Sequence, residues 1–343
     1  MSESTKEQGK NLTIELFRIL FTTVIMLHHF RMYSDALPFG GGYMATDFFF
    51  MLSGLFVYRE YEHNSSLIYL KRRYVRLITL FLPLNLVLFA IIVGIFKFSY
   101  TYTLWEFIRE NLMLEVFIPD SSLRFNAPMW YLGYLLIASF MVHLVLRVFC
   151  KRKHHFTCFI ILGTFIFILY ITIIFTHGCG NIYPQCRAIF DIKPLIRGLC
   201  GLICGCFIGF ISAKVHSPSK LNAIILPFVV VLDIYILMWK TGYTRYDILI
   251  YVFIVFNIFL INNYNLYYHN TFLEKTTLLF GETSYCAYII HFPIAHIIAA
   301  KHVFADWDWK IYSLLFIVLI WGLAIISFVT IKKMSAKRSS QSQ

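Results

Sequence analysis

Ten stretches of about 20 mostly apolar residues recur along this 343-residue chain, at approximately 12–31, 41–58, 75–96, 127–147, 156–176, 194–213, 222–239, 246–263, 279–299 and 311–331. At about 1.5 Å per helical residue, each suits a hydrocarbon core about 30 Å thick. Lipid offers the backbone no hydrogen-bond partner, so a run of this kind must bond within itself as a helix. The expected fold is therefore all-α, a polytopic membrane protein with about ten transmembrane helices. Composition excludes the main alternative: 59% of residues are apolar and 14% charged, more apolar side chain than one aqueous core could hide. The shortest span is the second, where Gly54 and the preceding Gly40, Gly41 and Gly42 weaken a helix.

The net charge of +12 then reports orientation and implies no nucleic-acid partner. Eighteen of the 30 cations fall on the side that holds both termini, including Lys71, Arg72, Arg73, Arg76 and Lys151 to Lys153, against ten on the other side. Lys and Arg are retained inside, so both termini are expected in the cytoplasm, for a bacterial protein at the inner membrane. The first span carries Arg18 and lacks an Ala-x-Ala exit, which argues against a cleaved signal. One transmembrane domain is expected over 11–333, flanked by disordered cytoplasmic tails at 1–10 and 334–343. Most cysteines lie in spans as small hydrophobes. Cys179 and Cys186 share an external loop, where a disulfide and two free thiols are equally open. No Cys and His spacing suits zinc, so no metal is expected.

Ionisable groups within spans carry the functional information, because each costs roughly 2.5–3.5 kcal/mol to insert. Arg18 and His29 are eleven residues apart, close to three full turns, so they share a face and stand ~16 Å apart along the axis. His28 points about 100° away. Asp47 opens the second span either as a helix cap or as a carboxylate that orients a histidine. Arg73 and Arg76, three apart at the cytoplasmic end of the third span, suit a phosphate or pyrophosphate, although any cytoplasmic helix end attracts such cations and an anionic lipid headgroup would suffice, which the run alone favours. In the ninth span His291 precedes Pro293, which frees the carbonyl of Ile289 for other use. There His291 is either a packed interhelical donor or part of a polar cavity. Gly201, Gly205 and Gly209 form a close-packing face on the sixth span, and Arg197 at its outer end is an interface anchor or a ligand for an acidic substrate group.

Taken in order, these features resemble the acyltransferase 3 family of integral membrane acyltransferases over nearly the whole chain. The family's arginine and, after ten further residues, histidine of the first helix match Arg18 and His29. Its aspartate, aromatic run and Ser-Gly are similar to Asp47-Phe48-Phe49-Phe50-Met51-Leu52-Ser53-Gly54, and its Arg-x-x-Arg to Arg73-Tyr74-Val75-Arg76. Its Pro-x-Trp segment resembles Pro128-Met129-Trp130, and its late Ser-Tyr to His-x-Pro segment resembles Ser284 through Pro293. The proline that often follows Arg-x-x-Arg within a few residues appears only at Pro83, and the acidic pair some members carry after the tryptophan is absent.

The resemblance implies transfer of an acyl group, usually acetyl, from cytoplasmic acyl-CoA to a hydroxyl of a cell-envelope glycan or lipid-linked sugar. Acetyl-CoA would be the donor, held by Arg18, Arg73 and Arg76. His29 would act as general base or as an acyl-accepting nucleophile, with Asp47 beside it, and Ser53, Trp130, Arg197, Tyr288 and His291 would meet the substrate. Self-association into a homo-oligomer stays open. A glycolipid transporter or flippase is the rival reading, since it too needs intramembrane cations.

Overall fold

The computed structural model describes residues 11–31, 38–96, 104–116, 126–149, 155–182, 192–212, 219–239, 245–264, 266, 271–301 and 308–341. Eleven α-helices occupy them: α1 (Leu12–Phe30), α2 (Ala45–Glu60), α3 (Ser66–Phe96), α4 (Leu104–Asn111), α5 (Trp130–Phe149), α6 (His155–His177), α7 (Ile192–Ser212), α8 (Ser219–Trp239), α9 (Asp247–Asn263), α10 (Thr271–Ala300) and α11 (Trp309–Gln341). Among the described residues there is no strand, and the protein is an all-α polytopic membrane protein. All ten expected spans are helices. Among the described residues, seven helices are long and apolar enough to cross a membrane. Of the other three expected spans, α8 and α9 carry shorter apolar stretches, Ile224–Met238 and Asp247–Asn263, and α2 has 16 residues, so the expected count of about ten crossings is met by seven helices of sufficient length.

One helix lies outside the expected spans, and one expectation changes at the end of the chain. The connection between α3 and α5 contains α4, too short and polar to register as a span, yet its Arg109, Glu110 and Asn111 are buried. The C-terminal tail, expected to be disordered, continues α11 as helix to Gln341, consistent with the helix-forming Lys332, Lys333, Met334, Ala336, Lys337 and Arg338. The N-terminal tail and Cys186 lie outside the described residues.

Local chemistry sets the helix starts and pairings. Asn11 caps α1 by accepting from the amides of Thr13 and Ile14, and its own amide donates to the carbonyls of Ile261 and Tyr264, which binds the start of α1 to the end of α9. The most extensive helix contact joins α2 to α7. They run parallel, with Phe50 against Gly198 and Tyr58 against Gly209. The expected glycine face is the reason they can: a Cβ on Gly205 would strike the Met51 carbonyl, and one on Gly54 the Leu202 carbonyl. Backbone cannot yield as a side chain can. Gly205→Ala is therefore expected to lower the melting temperature of the solubilised protein, by about 1–3 kcal/mol of overpacking. Gly322→Ala on α11, where nothing lies within 4 Å of the added carbon, is expected to be neutral or stabilising. Equal melting temperatures for the two variants would contradict the packing described.

Candidate active site

Arg18 and His29 of α1 both meet the parallel helix α10. Arg18 donates to Glu15 Oε2 at 2.8 Å and to Ser284 Oγ at 3.1 Å, while His29 Nδ1 lies 2.8 Å from His291 Nε2. Both side chains therefore face α10, as their spacing predicts. Gly281 makes room for Glu15, because a Cβ there would overlap the carboxylate. His29 is half-buried and His291 fully buried. His291 Nδ1 meets the Tyr288 carbonyl at 2.6 Å. His28 points elsewhere, with its Nδ1 3.0 Å from the Phe39 carbonyl.

The mid-chain segment closes over this pair. The carbonyl of Ile289, freed by Pro293, accepts from Asn126 Nδ2 at 2.8 Å, so the polar use expected of it is met by an asparagine. Asn126 continues to Asn85 Oδ1 (3.4 Å), and Asn85 donates to Asn111 Oδ1 (3.1 Å), an amide ladder from α4 across α3 to α10. The Tyr288 hydroxyl donates to the Pro128 carbonyl at 2.6 Å, and its ring meets both His291 and Tyr131. Tyr131 shares a hydrogen bond with Ser53 and lies near enough to Arg73 to feel its charge. Trp130 meets Tyr131 and Tyr134 edge-on.

Toward the cytoplasmic end expected from loop charge, Arg73 donates to the Tyr69 hydroxyl at 2.8 Å and stands over that ring. The other face of the story is His143, which stacks on Tyr69 with centroids 4.3 Å apart and takes part in a 3.0 Å bond to Ser66 Oγ. Arg76 is exposed and close enough to Arg18 for their charges to interact. Three guanidinium groups thus gather at one end of a chain of contacts that runs through Tyr131 and Tyr288 to the two histidines. Such a gathering suits the phosphates of an anionic donor.

Asp47 and Arg197 stand apart from that chain. Arg197 grips Asp47 with Nε (3.0 Å) and a terminal nitrogen (2.6 Å), and donates further to Thr46 Oγ1 and the carbonyls of Tyr43 and Ile182. The pair is 0% and 1% exposed. A carboxylate in this depth needs a fully matched cation, and the guanidinium fork supplies it. The ion-pair partner of Asp47 is therefore Arg197 and not a histidine, and the buried guanidinium of Arg197 is engaged by Asp47, Thr46, Tyr43 and Ile182.

A sequence profile described as an acyltransferase domain matches residues 11–332. The chain belongs to the acyltransferase 3 family. It is a membrane acyltransferase. No curated protein and no solved structure matches the chain. Within this acyltransferase, Arg18 bonds Ser284 and His29 meets His291 across α1 and α10, Tyr288 meets His291 and Tyr131, Tyr131 bonds Ser53 and meets Trp130, and Arg73 and Arg76 lie a turn apart on α3. Reading the acyltransferase's sequence alone missed Glu15, although its i, i+3 spacing from Arg18 announces an ion pair. Asn126, Asn85 and His143 left no comparable signal, since lone amides and histidines near helix ends have many ordinary roles.

Proposed function

We propose that this acyltransferase moves an acyl group, acetyl in the first instance, from cytoplasmic acyl-CoA to a hydroxyl of a cell-envelope polysaccharide or lipid-linked sugar. The protein would sit in the bacterial inner membrane with both termini in the cytoplasm, as the loop charges favour. The observation that carries this reading is the half-buried His29, held by a second imidazole at one end of the path whose other end gathers Arg18, Arg73 and Arg76. An imidazole changes charge near neutral pH and so suits removal of the acceptor's proton. The ~16 Å rise from Arg18 to His29 is a distance that a pantetheine arm covers, with CoA phosphates at the arginines and the thioester at the histidine.

Family membership makes the protein an acyltransferase, and the donor is tested directly. CoA is expected to raise the melting temperature of the wild-type protein, because a ligand that binds only the folded state stabilises it. Arg73→Ala combined with Arg76→Ala is expected to weaken CoA affinity at least tenfold, about 1.4 kcal/mol. Unchanged CoA affinity in that double variant would show that the cluster serves topology or lipid contact.

A further inference from the structure

Two hydrogen bonds determine which nitrogen of His29 is free. His291 Nδ1 lies 2.6 Å from the carbonyl oxygen of Tyr288. A carbonyl has no proton to offer, so that bond exists only with the proton on Nδ1. In a neutral imidazole the other nitrogen is then a bare acceptor, and His291 Nε2 is 2.8 Å from His29 Nδ1. His29 Nδ1 must therefore carry its own proton and donate it. The lone pair of His29 is left on Nε2.

The surroundings hold this arrangement in place. Asn126 satisfies the Ile289 carbonyl and the Tyr288 hydroxyl anchors to Pro128, which pin α10 on both sides of the carbonyl that sets the tautomer. His28, its ring 5.4 Å from that of His29, directs Nδ1 to Phe39 and offers no competing bond there, and Phe292 presents an edge. Exposure divides the two imidazoles in the same sense: His29 is half-buried, whereas His291 is 0% exposed and closed to an acceptor alcohol.

We infer that His291 is a positioning residue for acyl transfer, holding His29 as the Nδ1–H tautomer so that Nε2 takes the acceptor's proton. This rests on the acyl-CoA reading above, and it replaces the expectation that His291 lines the acceptor site. In the step, the acceptor's O–H bond breaks and its proton goes to His29 Nε2, while its oxygen bonds the thioester carbonyl carbon. The C–S bond then breaks, and the proton passes from Nε2 to the thiolate, leaving an ester and free CoA thiol. His291 Nε2 accepts from His29 Nδ1–H throughout and supports the imidazolium while it exists.

The test has one arm that needs no turnover. In full-length protein carrying 15N-histidine, with His29 assigned by comparison with His29→Gln, solid-state NMR should show a protonated Nδ1 and a bare Nε2. His291→Phe should abolish that preference. In inverted membrane vesicles given labelled acetyl-CoA, His291→Phe should lower the maximal transfer rate about 100-fold, within the usual range for losing a correctly poised base. The KM for acetyl-CoA should stay the same. His291→Gln, whose amide oxygen can reach the place of Nε2, should restore the rate to within about tenfold of wild type. Protonation of His29 at Nε2 in the wild type overturns the inference, and so does equal loss of rate in the Phe and Gln variants. The expected tautomer without any transfer by wild-type vesicles would overturn the acyl-CoA reading instead, and with it any catalytic value of the bond.

Discussion

Replacing His29 with alanine is expected to reduce acyl transfer by about 10²–10⁴-fold, the usual contribution of a positioned general base. The loss should fall on the chemical step. The arginines that would hold the donor act from other positions: Arg18 near the start of α1 is bonded to Glu15 and Ser284, and Arg73 on α3 is bonded to Tyr69. CoA should therefore stabilise His29→Ala as well as it stabilises the wild type. The fold should tolerate the change too, because His29 is half-buried and is bonded to a side chain on α10, His291. Labelled acetyl-CoA and membrane vesicles give the measurement. Transfer within tenfold of wild type, or a parallel loss of CoA stabilisation, would contradict the assignment of His29 as base.

The second large effect concerns stability. Arg197→Ala is expected to cost about 3–5 kcal/mol, because it strands the Asp47 carboxylate in a water-free interior. The same arginine holds Thr46 and the carbonyls of Tyr43 and Ile182, so the start of α2 and the turn near Ile182 lose their common anchor. Asp47→Ala should be damaging for the reciprocal reason, an unpaired guanidinium. The double variant Asp47→Ala with Arg197→Ala should recover much of the loss, since removing both charges removes the desolvation cost of each. Thermal unfolding of the solubilised proteins measures all four corners of the cycle. Additive losses would show that the pair is not energetically coupled. A stable Arg197→Ala protein with weakened substrate affinity would return Arg197 to the ligand role that its geometry argues against.

What could be read in advance divides along a physical line. Apolar length is a local property, so the helices and their rough limits were legible, as was the shared face of Arg18 and His29, which depends only on helical period. The carbonyl freed by Pro293 was equally legible, and so was the close-packing role of Gly201, Gly205 and Gly209. Partners were not. Asp47 and Arg197 are 150 residues apart, His29 and His291 are 262 apart, and nothing in either local pattern says which distant span arrives beside it. Asp47 at the start of a span read equally as a helix cap or as a carboxylate that orients a histidine, and neither local reading names a partner 150 residues away. The cation that neutralises it sits behind the glycine face of α7, where the tight α2–α7 approach brings the two together. Helix α4 escaped notice because it is eight residues long and polar on one side.

The amide ladder adds a point about how the fold supports the proposed chemistry. Asn85, Asn111 and Asn126 are all buried; Asn126 donates to the Ile289 carbonyl on one side and to Asn85 Oδ1 on the other, Asn85 donates to Asn111 Oδ1, and Asn111 donates to the Phe107 carbonyl. The Ile289 carbonyl lies next to the residue whose carbonyl meets His291. Polar groups inside a membrane protein are expensive unless matched, and here the amide of Asn126, whose own Oδ1 is buried without a partner, ties the kinked stretch of α10 to the ladder.

The most direct test is mass spectrometry of envelope polysaccharide and glycolipid from cells that carry the wild-type protein, lack it, or carry His29→Ala at equal abundance. Acyl esters should be present with the wild type, and absent both without the protein and with His29→Ala. Ester content that is the same in all three would contradict the central claim.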